Sequence, residues 1–287
     1  LEIEVVPEDL FDGVPSIREV FLINNLLRTL PINLFHFLPQ LVKLDLSDNK
    51  LERLPDRIFG NNSQLEVLDL EGNSLDELPK EIGTLYNLRE LDLSSNKFTK
   101  FLTNTFDKLT KLELLDIDDN EISELPIGIF KNLNNLKVLN IHNNKLNSID
   151  SHLFDRLNKL EILSLSKNRL SKLSERGFQN LSNLTYLGIG WNKLVELPSQ
   201  IFTRLENLET LSLSYNKFSK LENQIFDNLP MLNRIDLVDN KLTYLPQSLR
   251  NLSRLQVLNL SGNPLPEPLA KNFETIEDVK SAYGYIS

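Results

Sequence analysis

Apolar residues in this chain recur in a unit much longer than a helical turn or a strand repeat. Segments starting at Ile17, Leu41, Leu65, Leu88, Leu112, Leu136, Leu160, Leu184, Leu208, Leu232 and Leu255 superimpose at a period of about 24 residues. Each reads LxxLxLxxNxLxxLPxxxFxxLxx or a near variant. Leu41, Leu44, Leu46, Asn49, Leu51, Leu54, Pro55, Phe59 and Leu65 give the template in full, and it returns from Leu184 to Leu208. The LxL piece predicts a short period-two strand with its leucines inward, and the asparagine marks where the chain turns away.

Placing the coils over one another turns sequence positions into columns. Asn25, Asn49, Asn73, Asn96, Asn120, Asn144, Asn168, Asn192, Asn216, Asn240 and Asn263 form one of them. An inward amide can satisfy backbone groups of its own and the neighbouring coil that would be costly to bury alone. A second column, Phe11, Phe35, Phe59, Phe106, Phe130, Phe154, Phe178, Phe202 and Phe226, predicts stacked rings on the outer side of the core. Ile82 and Leu249 replace phenylalanine where repeats shorten by one residue.

This template resembles the leucine-rich-repeat family from about Ile3 to Leu265, with typical and plainer 23–24-residue repeats mixed. The resemblance implies an α/β solenoid: a curved horseshoe with a parallel β-sheet on the concave face and short helical or irregular segments on the convex face. Residues 1–16 read as a partial N-terminal repeat or cap, 17–265 as the repeats and 266–287 as a C-terminal helical cap. For the last, Thr275 and Asp278 suggest a helix start, and Phe273, Ile276, Val279 and Tyr283 share one face. A start inside a repeat leads us to expect a coil or cap upstream of residue 1. The cysteine-rich caps of vertebrate extracellular members have no counterpart, which favours a microbial or intracellular member.

Composition narrows the function. A formal charge of −9 disfavours nucleic acid as a partner. The absence of cysteine removes disulfides, thiolate metal sites and a cysteine nucleophile. No run approaches the ~18 apolar residues of a membrane span, so no membrane insertion is expected. A monomer is expected, and a secreted or cell-surface placement is slightly favoured over a cytoplasmic one. Sequons at Asn61, Asn180, Asn183, Asn251 and Asn259 add little in an asparagine-rich chain.

Binding is expected on the concave face of the coils from Leu112 to Leu232, with a protein or peptide as ligand. The column after the second leucine runs Phe21, Asp45, Asp69, Asp92, Asp116, Asn140, Ser164, Gly188, Ser212, Asp236 and Asn259. Its first half is acidic, and Asp118, Asp119 and Glu121 deepen that charge. Gly188 and Gly190 strip one strand of side chains, which predicts a hollow edged by Tyr186, Trp191 and Tyr215, with Ser164, Ser166, Ser212 and Ser214 beside it. His142 completes the candidate contact set. The column Glu66, Arg89, Glu113, Lys137, Glu161 alternates in sign, which cross-strand pairing explains. A row of Lys145, Arg169, Lys193, Lys217 and Lys241 follows the asparagines as a rim and reads as stems lying over leucines, with anion binding as the alternative.

Asp118, His142 and Ser166 fall in one row of successive coils, yet an open sheet supplies neither the reach of about 2.6–3.2 Å nor an oxyanion hole. No enzyme is expected. Asp116, Asp118 and Asn120 resemble the start of a calcium loop, but Glu121 stands where glycine is needed and Ile127 where a bidentate glutamate is needed. His36, His142 and His152 are dispersed, so neither a metal nor a cofactor is expected. A scaffold or targeting segment of a larger protein is the alternative reading.

Overall fold

The computed structural model describes residues 2–266, and the expected C-terminal cap lies outside them. The chain divides into two units, Leu1–Lys145 and Leu146–Ser287. The first carries strands β1 (Glu19–Phe21), β2 (Lys43–Asp45), β3 (Val67–Asp69), β4 (Glu90–Asp92), β5 (Leu114–Asp116) and β6 (Val138–Asn140). The second carries β7 (Ile162–Ser164), β8 (Tyr186–Gly188), β9 (Thr210–Ser212), β10 (Arg234–Asp236) and β11 (Val257–Asn259). Within each unit every strand pairs in parallel with the next in sequence, so each unit is a solenoid with one strand per repeat.

Each strand has three residues, its middle one buried and its first never fully so, as the pleat requires. Leu44, Leu68, Leu91, Leu115 and Leu139 are directly opposite one another in the ladder, so the register follows the sequence period. It holds across the shortened repeats because the missing residue is absorbed away from the strands. The short repeats wind into 3-10 helices there, Lys80–Thr84 and Gln247–Asn251, burying Ile82 and Leu249 where other repeats bury phenylalanine. Elsewhere in the described residues that side of the repeats is made of turns rather than helices.

The columns behave as their chemistry demands. The Asn120 amide donates to the carbonyls of Leu93 (2.9 Å), Ile117 (3.3 Å) and Asp118 (2.8 Å), and its oxygen accepts the Phe98 N–H at 3.0 Å. Asn49 and Asn216 repeat the arrangement. Phenylalanine rings stack at 6.1 Å for Phe11–Phe35, 6.4 Å for Phe106–Phe130 and 6.3 Å for Phe154–Phe178. Arg89 reaches Glu66 at 3.7 Å and Glu113 at 2.6 Å, and Lys137 reaches Glu113 at 2.7 Å, so the alternating column is an ion-pair ladder.

Candidate functional site

The turn ending each strand sets the geometry of the candidate site. One residue per coil adopts a left-handed backbone there, immediately before the inward asparagine. In the first unit these are Asn24, Asp48, Gly72, Ser95, Asp119 and Asn143; in the second, Lys167, Trp191, Tyr215, Asp239 and Gly262. Glycine, asparagine and aspartate take this conformation readily, and bulky side chains do not. Trp191 (φ 54°) and Tyr215 (φ 53°) occupy it in successive coils. Their rings stack with centroids 3.7 Å apart and planes 15° from parallel, while Trp191 stays 50% exposed and Tyr215 37%.

Side chains of this column lean from coil to coil. The Tyr215 hydroxyl donates to Asp239, which pushes its phenol up, with the negative charges of Asp239 and Asp236 adding to the effect. The Asp239 carboxylate sits in the space that a side chain at Gly262 would fill. In the first unit Asn143 donates to Asp119.

The expected hollow at Gly188 and Gly190 is filled. A Cβ at Gly188 would meet the Tyr186 hydroxyl at 2.9 Å and the Ser166 hydroxyl at 3.0 Å; one at Gly190 would meet Ser214 Oγ at 2.9 Å and Ser212 Oγ at 3.3 Å. These glycines admit a neighbour's side chain rather than a ligand. Tyr186 is thereby half-buried, and desolvation followed by the charge of Asp236 pushes its phenol up. Ser166 is buried and Ser212 half-buried, leaving Trp191 and Tyr215 as the exposed members of the group.

In the first unit the acidic column has a local role that spacing alone did not reveal. Oδ1 of Asp45, Asp69, Asp92 and Asp116 each accepts the backbone N–H two residues on, at 3.0, 3.0, 2.9 and 3.0 Å. Asn140 does the same for His142 at 3.2 Å. These Asx turns close the strand end. Burial, more than mutual repulsion, pushes Asp69 up to about 6 and Asp118 up to about 7, and it also raises Asp116 and Glu71. The Asp118 carboxylate takes the Asn140 amide at 2.9 Å, and Asn140 also reaches Asp116 at 3.0 Å.

Asp69, Glu71 and Asp92 bring carboxylate oxygens within 4.8 Å of one another, an all-oxygen set of the type hard cations use. Asp69 and Asp92 already accept turn hydrogen bonds, Asp92 from the Ser94 hydroxyl as well. An open cleft lined by Glu8, Asp9, Asp12, Asn33, His36 and Phe37 was not singled out by sequence pattern, because its residues come from irregular segments. No helix among the described residues is long and apolar enough to cross a membrane.

Comparison with known proteins agrees with this architecture. The Leucine rich repeat family model matches residues 2–51, 39–98, 63–122, 110–170, 134–194, 182–242 and 206–265. A leucine-rich-repeat protein of Leptospira interrogans is 31% identical over 99% of this chain and 68% of its own, with a TM-score of 0.87. The plant peptide hormone receptor RGFR1, solved in complex with RGF2, is 28% identical over 91% of this chain and 42% of its own, with a TM-score of 0.75. The Drosophila Toll–Spatzle complex shares the fold at 24% identity, TM-score 0.76, over 92% of this chain and 40% of its own. This chain thus spans about two thirds of the Leptospira protein and under half of the other two. No curated protein matches it. With the period, the strand register, the asparagine ladder and the matched segments all in agreement, the chain belongs to the leucine-rich-repeat family.

Proposed function

We propose that this chain is a non-enzymatic recognition module that holds a protein or peptide against the open face and rim of its strand ladder. The observation that carries this reading is the Trp191–Tyr215 stack. A left-handed backbone costs a non-glycine residue about 1–2 kcal/mol, and an aromatic pair returns about 0.5–1.5 kcal/mol. Folding therefore gains little from aromatics at positions that other coils give to asparagine, aspartate, serine, glycine or, at Lys167, lysine. Exposed tryptophan and tyrosine are the side chains that anchor interfaces, and Trp191 is the chain's one tryptophan. Tyr186, Gly188, Gly190, Ser166 and Ser212 form the floor beside the pair. On the first unit, Asp116, Asp118, Asp119 and His142 are a second polar surface that selects partners by charge. The RGFR1 complex with RGF2, at 28% identity, supports a protein or peptide ligand.

The test is a double variant, W191N/Y215N, whose replacements match Asn24 and Asn143 at the same turn. Relieved strain offsets lost stacking, so its melting temperature stays within about 2–4 °C of wild type. Recovery of partners on immobilised protein drops at least about tenfold if the pair is the anchor. Equal recovery by both proteins discards the anchor.

A further inference from the structure

The second unit carries a local charge opposite to that of the whole chain. Two positions beyond the left-handed turn residue, Arg169, Lys193, Lys217 and Lys241 occupy successive coils. Their backbone N–H groups donate to Leu146, Leu170, Leu194 and Phe218, each at 2.8 Å, which holds them in one row at a coil spacing of about 4.8 Å. All four are exposed, and none makes an ion pair among the described residues; nor does exposed Lys167 in the turn column. The intervening asparagines Asn168, Asn192, Asn216 and Asn240 are buried, so the row and the turn column flank the same ridge. Along it run the cations Lys167, Arg169, Lys193, Lys217 and Lys241, the Trp191–Tyr215 stack, and one carboxylate, Asp239, which already accepts the Tyr215 hydroxyl. The corresponding row of the first unit is mixed: Leu26, Lys50, Ser74, Lys97, Glu121 and Lys145, with Lys145 paired to Glu121 at 2.6 Å.

A chain of net charge −9 has here concentrated unneutralised cations beside its exposed aromatic pair. Lysine stems covering leucines explain the aliphatic part of the row, but not the collection of charge along one ridge without acidic partners. Resting on the binding reading above, we propose that this ridge receives an acidic peptide segment of the partner: carboxylates on Arg169, Lys193, Lys217 and Lys241, and one apolar side chain against the Trp191–Tyr215 stack. An extended segment advances about 3.3 Å per residue, so alternate residues pass successive cations when it crosses the coils obliquely.

Trp191 is itself the reporter. The whole chain is titrated with a peptide of alternating glutamate and glycine bearing one central phenylalanine, with its glutamine analogue, and with a sulfated glycan, following binding by calorimetry and, separately, tryptophan emission. The glutamate peptide is expected to shift the emission and to bind more weakly as salt rises, while the glutamine analogue binds at least about tenfold more weakly. A K193Q/K217Q variant loses about tenfold in affinity, whereas K50Q/K97Q, at the same repeat positions of the first unit, retains wild-type binding. Equal binding of both peptides with a tryptophan shift overturns the acidic segment and leaves the aromatic anchor standing. No binding of either peptide, or a response to the glycan alone, overturns the inference, and an emission unchanged on binding overturns the anchor as well.

Discussion

At the scale of single residues, the asparagine and the turn residue before it divide the labour of each coil. The asparagine is buried because its amide and its carbonyl oxygen serve backbone groups of two coils at once. Replacing Asn120 by alanine leaves the carbonyls of Leu93 and Asp118 and the N–H of Phe98 without that partner in a dry interior. At about 1–3 kcal/mol for each buried group left unsatisfied, discounted for relaxation, N120A should cost roughly 2–4 kcal/mol in chemical denaturation. N120D should cost more, since it exchanges a donating amide for a buried charge facing carbonyl oxygens. A cost below that of a typical surface substitution would mean that water replaces the amide. The turn residue is free of such duties because its side chain faces outward, and there the sequence of the second unit departs from what the backbone prefers.

At the scale of strands and turns, the two glycines of the β8 repeat make different demands. A methyl group at Gly190 would approach the Ser214 carbonyl oxygen at 3.1 Å, and the Trp191 N–H bond to that same oxygen, 2.8 Å long, keeps the two backbones together. A methyl group at Gly188 meets the end of the Tyr186 side chain, which can rotate away. G190A should therefore destabilise by about 1–3 kcal/mol and G188A by less, with Tyr186 turned outward and its fluorescence quenched more readily. Equal costs in urea denaturation would contradict the assignment of backbone contact to Gly190 alone. The fold was legible in the chain because a fixed period places Leu44 beside Leu68 and Asn49 beside Asn73 whatever the details of the turn. The site was legible only in part. Trp191, Tyr186 and Tyr215 stood out as aromatics near two glycines, but the filling of the glycine gap by Tyr186 depends on side-chain rotation. The Asx turns of Asp45 to Asp116 were hidden because aspartate at that spacing reads equally well as surface charge. The cationic row from Arg169 to Lys241 was legible in the spacing, but its place beside the Trp191–Tyr215 stack was not, because that depends on the left-handed turn that puts residues on either side of a buried asparagine on one edge.

At the scale of the whole molecule, the strand-end carboxylates set how stability responds to pH. Asp69 and Asp118 are pushed up to about 6 and about 7, chiefly by burial, with Asp92, Asp116 and Asp119 adding repulsion and Asn140 opposing it at Asp118. A carboxyl whose folded pKa exceeds its unfolded value binds more protons when folded. Its penalty is full above the folded pKa and vanishes below about 3.9, the unfolded value. Glu113, held down by hydrogen bonds from Lys137 and Arg89, and Glu121, held down by Lys145, act in the reverse sense and lose their contribution below their ordinary range. Melting temperature at low salt should therefore climb as pH falls from 8 toward 5 and drop again below about 4.3, where paired glutamates protonate. D118N removes one of the groups responsible while its side-chain oxygen can still accept the Asn140 amide. It should raise the melting temperature most at pH 8 and by about a third as much at pH 5, and so flatten the slope between. Calorimetry across that range decides the matter: a steady decline from pH 8 to 5, or a wild-type slope in D118N, would show that these carboxylates are solvated well enough for burial to cost them nothing.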